Sequence, residues 1–355
     1  MKKILTLRLL LAAISLGMYI LHTPVSAGKA GSSQKVEKAE AVTPAPSIED
    51  IEALVEEKIT QLRSESAKTM GNDASLIRGE KLYDGACAGC HGVAGDGNGV
   101  AGQYLNPRPR DFTKGVYRFR STATGELPTD EDLYDVIARG VDGTMMPDFA
   151  PILNEKEIKD VVAYTKSFSL DFAEYGAGEP LAIPEPVAYT DESAQEGKFF
   201  YMLQGCWTCH GKTGKGDGPS ASTQKDAQGN LVPPLNFVNA IYKMGSDSKS
   251  IYKSLNTGFD GSPMASYKDL FLFANDAIDL KPLAEGYTES EIQELKEFLK
   301  TQPDQSKLDG LTQEVKDQTA EKRKWAVIHY IQSLRKEPGF FSKLFSINTD
   351  ITLSR

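Results

Sequence analysis

All four cysteines of this 355-residue chain fall in two copies of one short frame. The stretch DGACAGCHGVAGDGNG sets Cys87, Cys90 and His91 ahead of Gly92, Gly95, Gly97 and Gly99. The stretch LQGCWTCHGKTGKGDG sets Cys206, Cys209 and His210 ahead of Gly211, Gly214, Gly216 and Gly218. No cysteine is left over to cross-link distant segments. A redox dithiol does not require the following histidine, and a zinc site would need further ligands beside each pair. Whatever the chain folds into must therefore present the same three side chains twice, in two separate places.

Cys-x-x-Cys-His, present twice among only four histidines, reads as two attachment sites for c-type haem. The spacing suits the chemistry. Two thiols on one helical turn can each form a thioether to one vinyl group of a single porphyrin, while the adjacent imidazole is aimed at the iron. Each half of the chain then resembles a class I c-type cytochrome domain, and the pair resembles a dihaem cytochrome c, over about residues 74 to 335. The resemblance implies an all-α fold of two tandem cytochrome c (class I) domains with long loops, carrying two covalently bound haem c groups.

The repeat extends well beyond the motifs. PRDFTKGVYRF from Pro109 matches PLNFVNAIYKM from Pro234, and LYDVIARGVDGTMMP matches IYKSLNTGFDGSPMA. These matches pair Phe112 with Phe237, Tyr117 with Tyr242, Gly140 with Gly258 and Met146 with Met264. A soft thioether opposite the histidine favours Fe(II) and completes a six-coordinate iron, so the expected metal ligands are His91 and Met146, His210 and Met264. Met145 competes with Met146, and the repeat register together with Pro147 favours Met146. Met202 and Met244 read as core filler. Upstream, Gly79 and Tyr83 recur as Gly197 and Tyr201; the resemblance places such a pair where the first and last helices of a domain cross, with glycine allowing close approach. It also implies a proline whose carbonyl accepts the Nδ1 proton of the ligating histidine, here Pro109 and Pro234, with Pro107 and Pro233 as neighbours in competition. His329 is the spare histidine and reads as a packed or solvated helix position, with iron ligation as the alternative.

The rest of the chain divides around these domains. Lys2 and Lys3, an apolar run to Leu21 and Val25-Ser26-Ala27 read as a signal peptide over 1–27, with an uncleaved anchor as the rival. Residues 28–46 are low in large apolar side chains and read as a disordered tether. Residues 47–72 read as an amphipathic helix capped by Ser47. The first domain is expected over 73–172, a proline-punctuated linker over 173–192, the second domain over 193–336 with an insertion at about 269–320, and a tail over 337–355. Two segments compete to close the second domain. TESEIQELKEFLK matches the first domain's closing helix position by position, and KRKWAVIHYIQSL is favoured for its aromatic residues.

A net charge of −9, or −12 without the three cationic residues of the leader, argues against nucleic acid and anionic membrane as partners. It suits a protein redox donor and acceptor with a basic docking surface. With His and Met available to both irons, the expectation is a periplasmic electron-transfer protein and no catalytic residues. The alternative is a dihaem peroxidase-like enzyme, which needs one iron with an open position. The resemblance also extends to dihaem cytochromes that accompany membrane-bound respiratory complexes and molybdenum oxidoreductases, which implies a possible place as a haem subunit.

Overall fold

The computed structural model describes Ser47, Asp50, Leu54, Glu57 and residues 73–239 and 241–335. The expected signal peptide, the tether and the 337–355 tail lie outside these residues. The chain divides into two units, Met1–Glu57 and Lys58–Arg355. In the first, Asp50, Leu54 and Glu57 are helical. Ser47 caps this helix: its hydroxyl accepts from the Asp50 amide at 3.1 Å, and the Asp50 carboxylate accepts from the Ser47 amide at 3.0 Å.

The second unit is helical, and among its described residues no strand forms. Its first half contains α1 (Ala74–Ala86), the one-turn α2 (Ala88–His91), α3 (Asp130–Arg139), α4 (Glu155–Lys166) and α5 (Leu170–Glu174). Its second half contains α6 (Asp191–Leu203), the one-turn α7 (Trp207–His210), α8 (Ser248–Thr257), α9 (Glu289–Lys300), α10 (Gln305–Asp309) and α11 (Gln313–Ser333). Helix starts follow capping chemistry. Asp73, Thr129, Asn154, Thr190, Asp247, Thr288 and Thr312 each accept an amide of the first turn that has no partner within its own helix. Among the described residues no helix is long and apolar enough to cross a membrane.

Two crossings organise this unit. α4 lies across α1 and α11 across α6. A Cβ on Gly79 would run into the Asp160 carbonyl and sit 2.9 Å from Tyr164 Cβ; one on Gly197 would run into the Ala326 carbonyl and sit 2.9 Å from Tyr330 Cβ. The KRKWAVIHYIQSL segment thus holds, over α6, the position that α4 holds over α1. The competing segment, α9, packs on the outer side of α6: its Leu295 and Leu299 join the core of Phe199, Phe200 and Trp325, with Phe298 stacked on Phe199 at 4.7 Å.

The two halves are pinned to each other. The Arg120 side chain is fully buried and donates to the Thr257 carbonyl at 3.0 Å and to Asp260 at 2.8 Å. Thr124 also donates to the Thr257 carbonyl (3.0 Å), Arg118 pairs with Asp226 (2.9 Å), and Phe119 meets Phe259 edge-on with centroids 5.8 Å apart. The linker runs beside the same first-domain segment, with Gly178 donating to the Leu127 carbonyl (3.0 Å) and Leu181 to that of Ser121 (2.8 Å).

Candidate functional site

Each cysteine motif forms a single helical turn directly after the first helix of its domain. The His91 amide donates to the Cys87 carbonyl at 2.9 Å, and the His210 amide to the Cys206 carbonyl at 2.9 Å. That turn places Cys87, Cys90 and His91 around one cavity of about 320 Å³. The four thiols make no disulfide. Burial raises Cys87 to about 11, with Cys90 adding to the effect, and raises Cys206 to about 12.

The imidazoles are held the same way in both domains. His91 Nδ1 lies 3.1 Å from the Arg110 carbonyl, and His210 Nδ1 lies 3.0 Å from the Leu235 carbonyl. A carbonyl only accepts, so Nδ1 carries the proton and Nε2 keeps its lone pair. Burial lowers the pKa of both rings, with the carbonyl bond opposing in part, which favours the neutral ligating form. Phe112 stacks on His91 at 4.6 Å and Phe237 on His210 at 4.3 Å, fixing each ring plane. The acceptor is therefore one residue beyond the expected Pro109 and Pro234, and it is neither Pro107 nor Pro233. The Pro109 and Pro234 carbonyls instead lie 2.9 Å and 2.7 Å from where a Cβ on Gly97 or Gly216 would stand. The motif glycines let the loop close against the proline, and the next carbonyl then turns to the imidazole.

The methionine loops are superimposable in their bonding. In the first, Val141 N donates to Met146 O (3.0 Å) and Met146 N to Thr144 Oγ1 (3.1 Å). In the second, Phe259 N donates to Met264 O (2.9 Å) and Met264 N to Ser262 Oγ (3.4 Å). Gly140 and Gly258 open these loops at φ +68° and +61°, where a Cβ would strike the returning chain. Met145 and Met146 both line the first cavity; Met146 is half-buried and packs on the core of that domain, whereas Met145 is 68 % exposed and stands where the second domain has Pro263. A register built on Met145 would leave the second domain with no thioether at all.

The first cavity fits a haem. Its walls are apolar at Leu133, Ile137, Phe149 and Val161, as a flat macrocycle requires, and its polar part is unsatisfied. Tyr117 Oη and Arg118 Nε line it and are buried with no hydrogen-bond partner. Such donors suit the two carboxylates on a porphyrin edge. Residue types alone gave no sign of this polar end, nor of the Arg110 and Leu235 carbonyls. His329 takes no part: its Nδ1 bonds Ser193 Oγ at 2.8 Å and its Nε2 the Val187 carbonyl at 3.1 Å, so both ring nitrogens are used in tying α11 to α6 and the linker.

A family model described as Cytochrome c matches residues 76–169 and again 194–335. A solved chain of the Kuenenia stuttgartiensis reducing HAO-like protein complex Kustc0457/Kustc0458 is similar at 31 % identity with a TM-score of 0.57, the match covering 73 % of this chain and 96 % of that one. No curated protein matches.

Proposed function

The chain belongs to the cytochrome c family, with two such domains in tandem, and from that premise we propose that it is a dihaem electron-transfer subunit of an exported protein complex. Bound through thioethers, haem c would supply a one-electron iron couple in each domain. The chain's own residues do the rest. Cys87 with Cys90, and Cys206 with Cys209, hold the group; His91 and His210 present Nε2 with their ring planes fixed; Met146 and Met264 present sulfur from loops bonded alike. The observation that carries this reading is that likeness: the same histidine tie and the same methionine turn recur in both domains, so neither is built to leave a coordination position open for substrate.

The N-terminal lysines, apolar run and Val25-Ser26-Ala27 support export to the periplasm. The acidic balance supports a redox partner with a basic face. The similarity to a chain from a protein complex supports a place as a subunit, with respiratory redox proteins as donor and acceptor. The test is a haem count joined to electron paramagnetic resonance on the purified native protein. We expect two covalent haems per chain, both low-spin. A substantial high-spin, five-coordinate fraction would overturn the carrier role in favour of the peroxidase-like enzyme.

A further inference from the structure

We infer that the second domain completes the first domain's haem pocket, with Lys243 and Asp226 setting the charge where the haem carboxylates would lie. This rests on the haem reading above. Among the described residues, every one lining the first cavity lies between Tyr83 and Thr165 except Lys243, which belongs to the second domain. Lys243 and Arg118 are the same position of the repeat, following Tyr242 and Tyr117. The two domains thus bring both copies of one cationic position to a single cavity, where Arg110 joins them.

Across that cluster the second domain supplies one carboxylate. Asp226 Oδ2 accepts from Arg118 Nη2 at 2.9 Å, and both side chains are largely buried. Asp226 is itself held rigidly, accepting from the amides of Gln228 (3.0 Å) and Asn230 (2.9 Å). Arg118 Nε remains buried without a partner. Among the described residues neither Arg110 nor Lys243 has an ion-pair partner within 4.0 Å. Four cations line the cavity, Arg108, Arg110, Arg118 and Lys243, with Asp226 and Asp111 the carboxylates that act on Arg110, and this excess calls for further negative charge. The two carboxylates on a porphyrin edge have that charge and would meet the orphaned Arg118 Nε and Tyr117 Oη.

Lys243 has a consequence for the iron. Its charge offsets that of the haem carboxylates, which would otherwise favour the oxidised state, so the first haem's midpoint is raised by a residue of the other domain. The Arg120 latch and the Phe119–Phe259 contact hold Lys243 in register for this.

The experiment is a redox titration of the full holoprotein with spectra at each step. A Met264→His background marks the second haem by its changed ligand. In that background Lys243→Gln should shift the first haem's Fe(III)/Fe(II) equilibrium toward Fe(III) by about tenfold, or about 59 mV. Asp226→Asn should shift it the opposite way, and Lys243→Arg should stay within about threefold of the parent. The second haem should move far less. A first-haem midpoint unchanged in Lys243→Gln, or both haems moving together, overturns the inference while leaving the electron-transfer role standing. Should Lys243→Gln lose haem, the signs of the Asp226→Asn and Lys243→Arg shifts decide in its place. A chain with no titrating haem overturns both readings.

Discussion

The two haem domains are alike where a backbone must pass close to another and unlike where something must cover the result. At each crossing a glycine abuts a carbonyl and a tyrosine Cβ, and a neighbouring tyrosine reaches the first motif glycine: Tyr83 Oη to Gly92 O at 2.8 Å, Tyr201 Oη to Gly211 O at 2.7 Å. Outside the crossing they diverge. The second domain covers its motif helix from within, for Trp207 packs edge-on against Tyr287 (5.4 Å) and close to Gly286, both from the inserted segment. Arg323 anchors that segment by donating to the Phe271 and Phe273 carbonyls at 2.9 Å and 3.1 Å. The first domain has no insertion: Ala88 of its motif helix packs with Tyr83 and Phe168 of the same domain, and the contacts with its neighbour run through Arg118, Phe119 and Arg120. Close approach is fixed by sterics that admit no substitute, while cover is a matter of apolar area and charge that different segments can supply.

That contrast is broken most directly at Arg120. Its guanidinium also donates to the Tyr117 and Ala123 carbonyls at 3.3 Å and 3.1 Å, so removal takes a donor from each of these acceptors and leaves Asp260 with the Gly125 amide but without its counter-charge. Arg120→Met is expected to cost about 3 kcal/mol in urea unfolding of the holoprotein, the lower end for a broken buried pair because Asp260 keeps access to water. Asp260→Asn in the same background should recover part of it. A cost under about 1 kcal/mol would show that the first domain stands without its neighbour.

The likeness of the crossings is sharpened by Gly79→Ala and Gly197→Ala. On an exposed helix such a change stabilises by up to about 1 kcal/mol. Here each added methyl meets backbone, and a loss of about 1 to 3 kcal/mol is expected at both. Gly85, in α1 with nothing within 4 Å of its would-be Cβ, serves as the control and should gain when changed to alanine. Costs at Gly79 and Gly197 that differed by more than about 2 kcal/mol would mean the two crossings are not equivalent in packing.

How far the sequence reaches follows the same division. The fold class and the glycine and tyrosine at the crossing were legible because a repeat records them at matching offsets, and the same register is what favours Met146 over Met145. The histidine's acceptor was displaced by one residue: a proline is visible in a sequence, whereas the direction of the next carbonyl depends on how the glycine loop closes on it. For the closing helix, α9 matched the first domain position by position while α11 was favoured for its aromatic residues, and α11 is buried continuously from Arg323 to His329. The decisive feature is Tyr330, the counterpart of Tyr164, with a chain able to bring the Ala326 carbonyl against Gly197. Lys243 reads as an ordinary surface lysine, since its neighbours belong to another domain. His329 gave no hint of its bond to Val187, whose carbonyl lies in the linker.

The smallest effect concerns how each domain fastens its cover. Asp160, at the first crossing, is held well below the usual carboxylate range chiefly by Arg78, with burial opposing and Ser75 and Lys156 assisting. Ala326 takes that place in the second domain, and the corresponding staple lies outside the crossing: Glu291 of α9 accepts from Lys212 of the motif loop at 2.6 Å and from the Thr288 amide at 2.9 Å. Burial raises the Glu291 pKa, but these bonds outweigh it and set the value at about 2. A carboxylate depressed from about 4.3 contributes stability that is complete above that value and lost as pH falls toward the folded one. Glu291→Gln should therefore cost about 0.5 to 1 kcal/mol at pH 7, the staple being part-exposed, and the difference from the parent should fade between pH 4 and pH 2. A cost that held constant down to pH 2.5 would show that Glu291 fastens the insertion through packing and its helix cap, and the charge on Lys212 would have no share in covering the second motif.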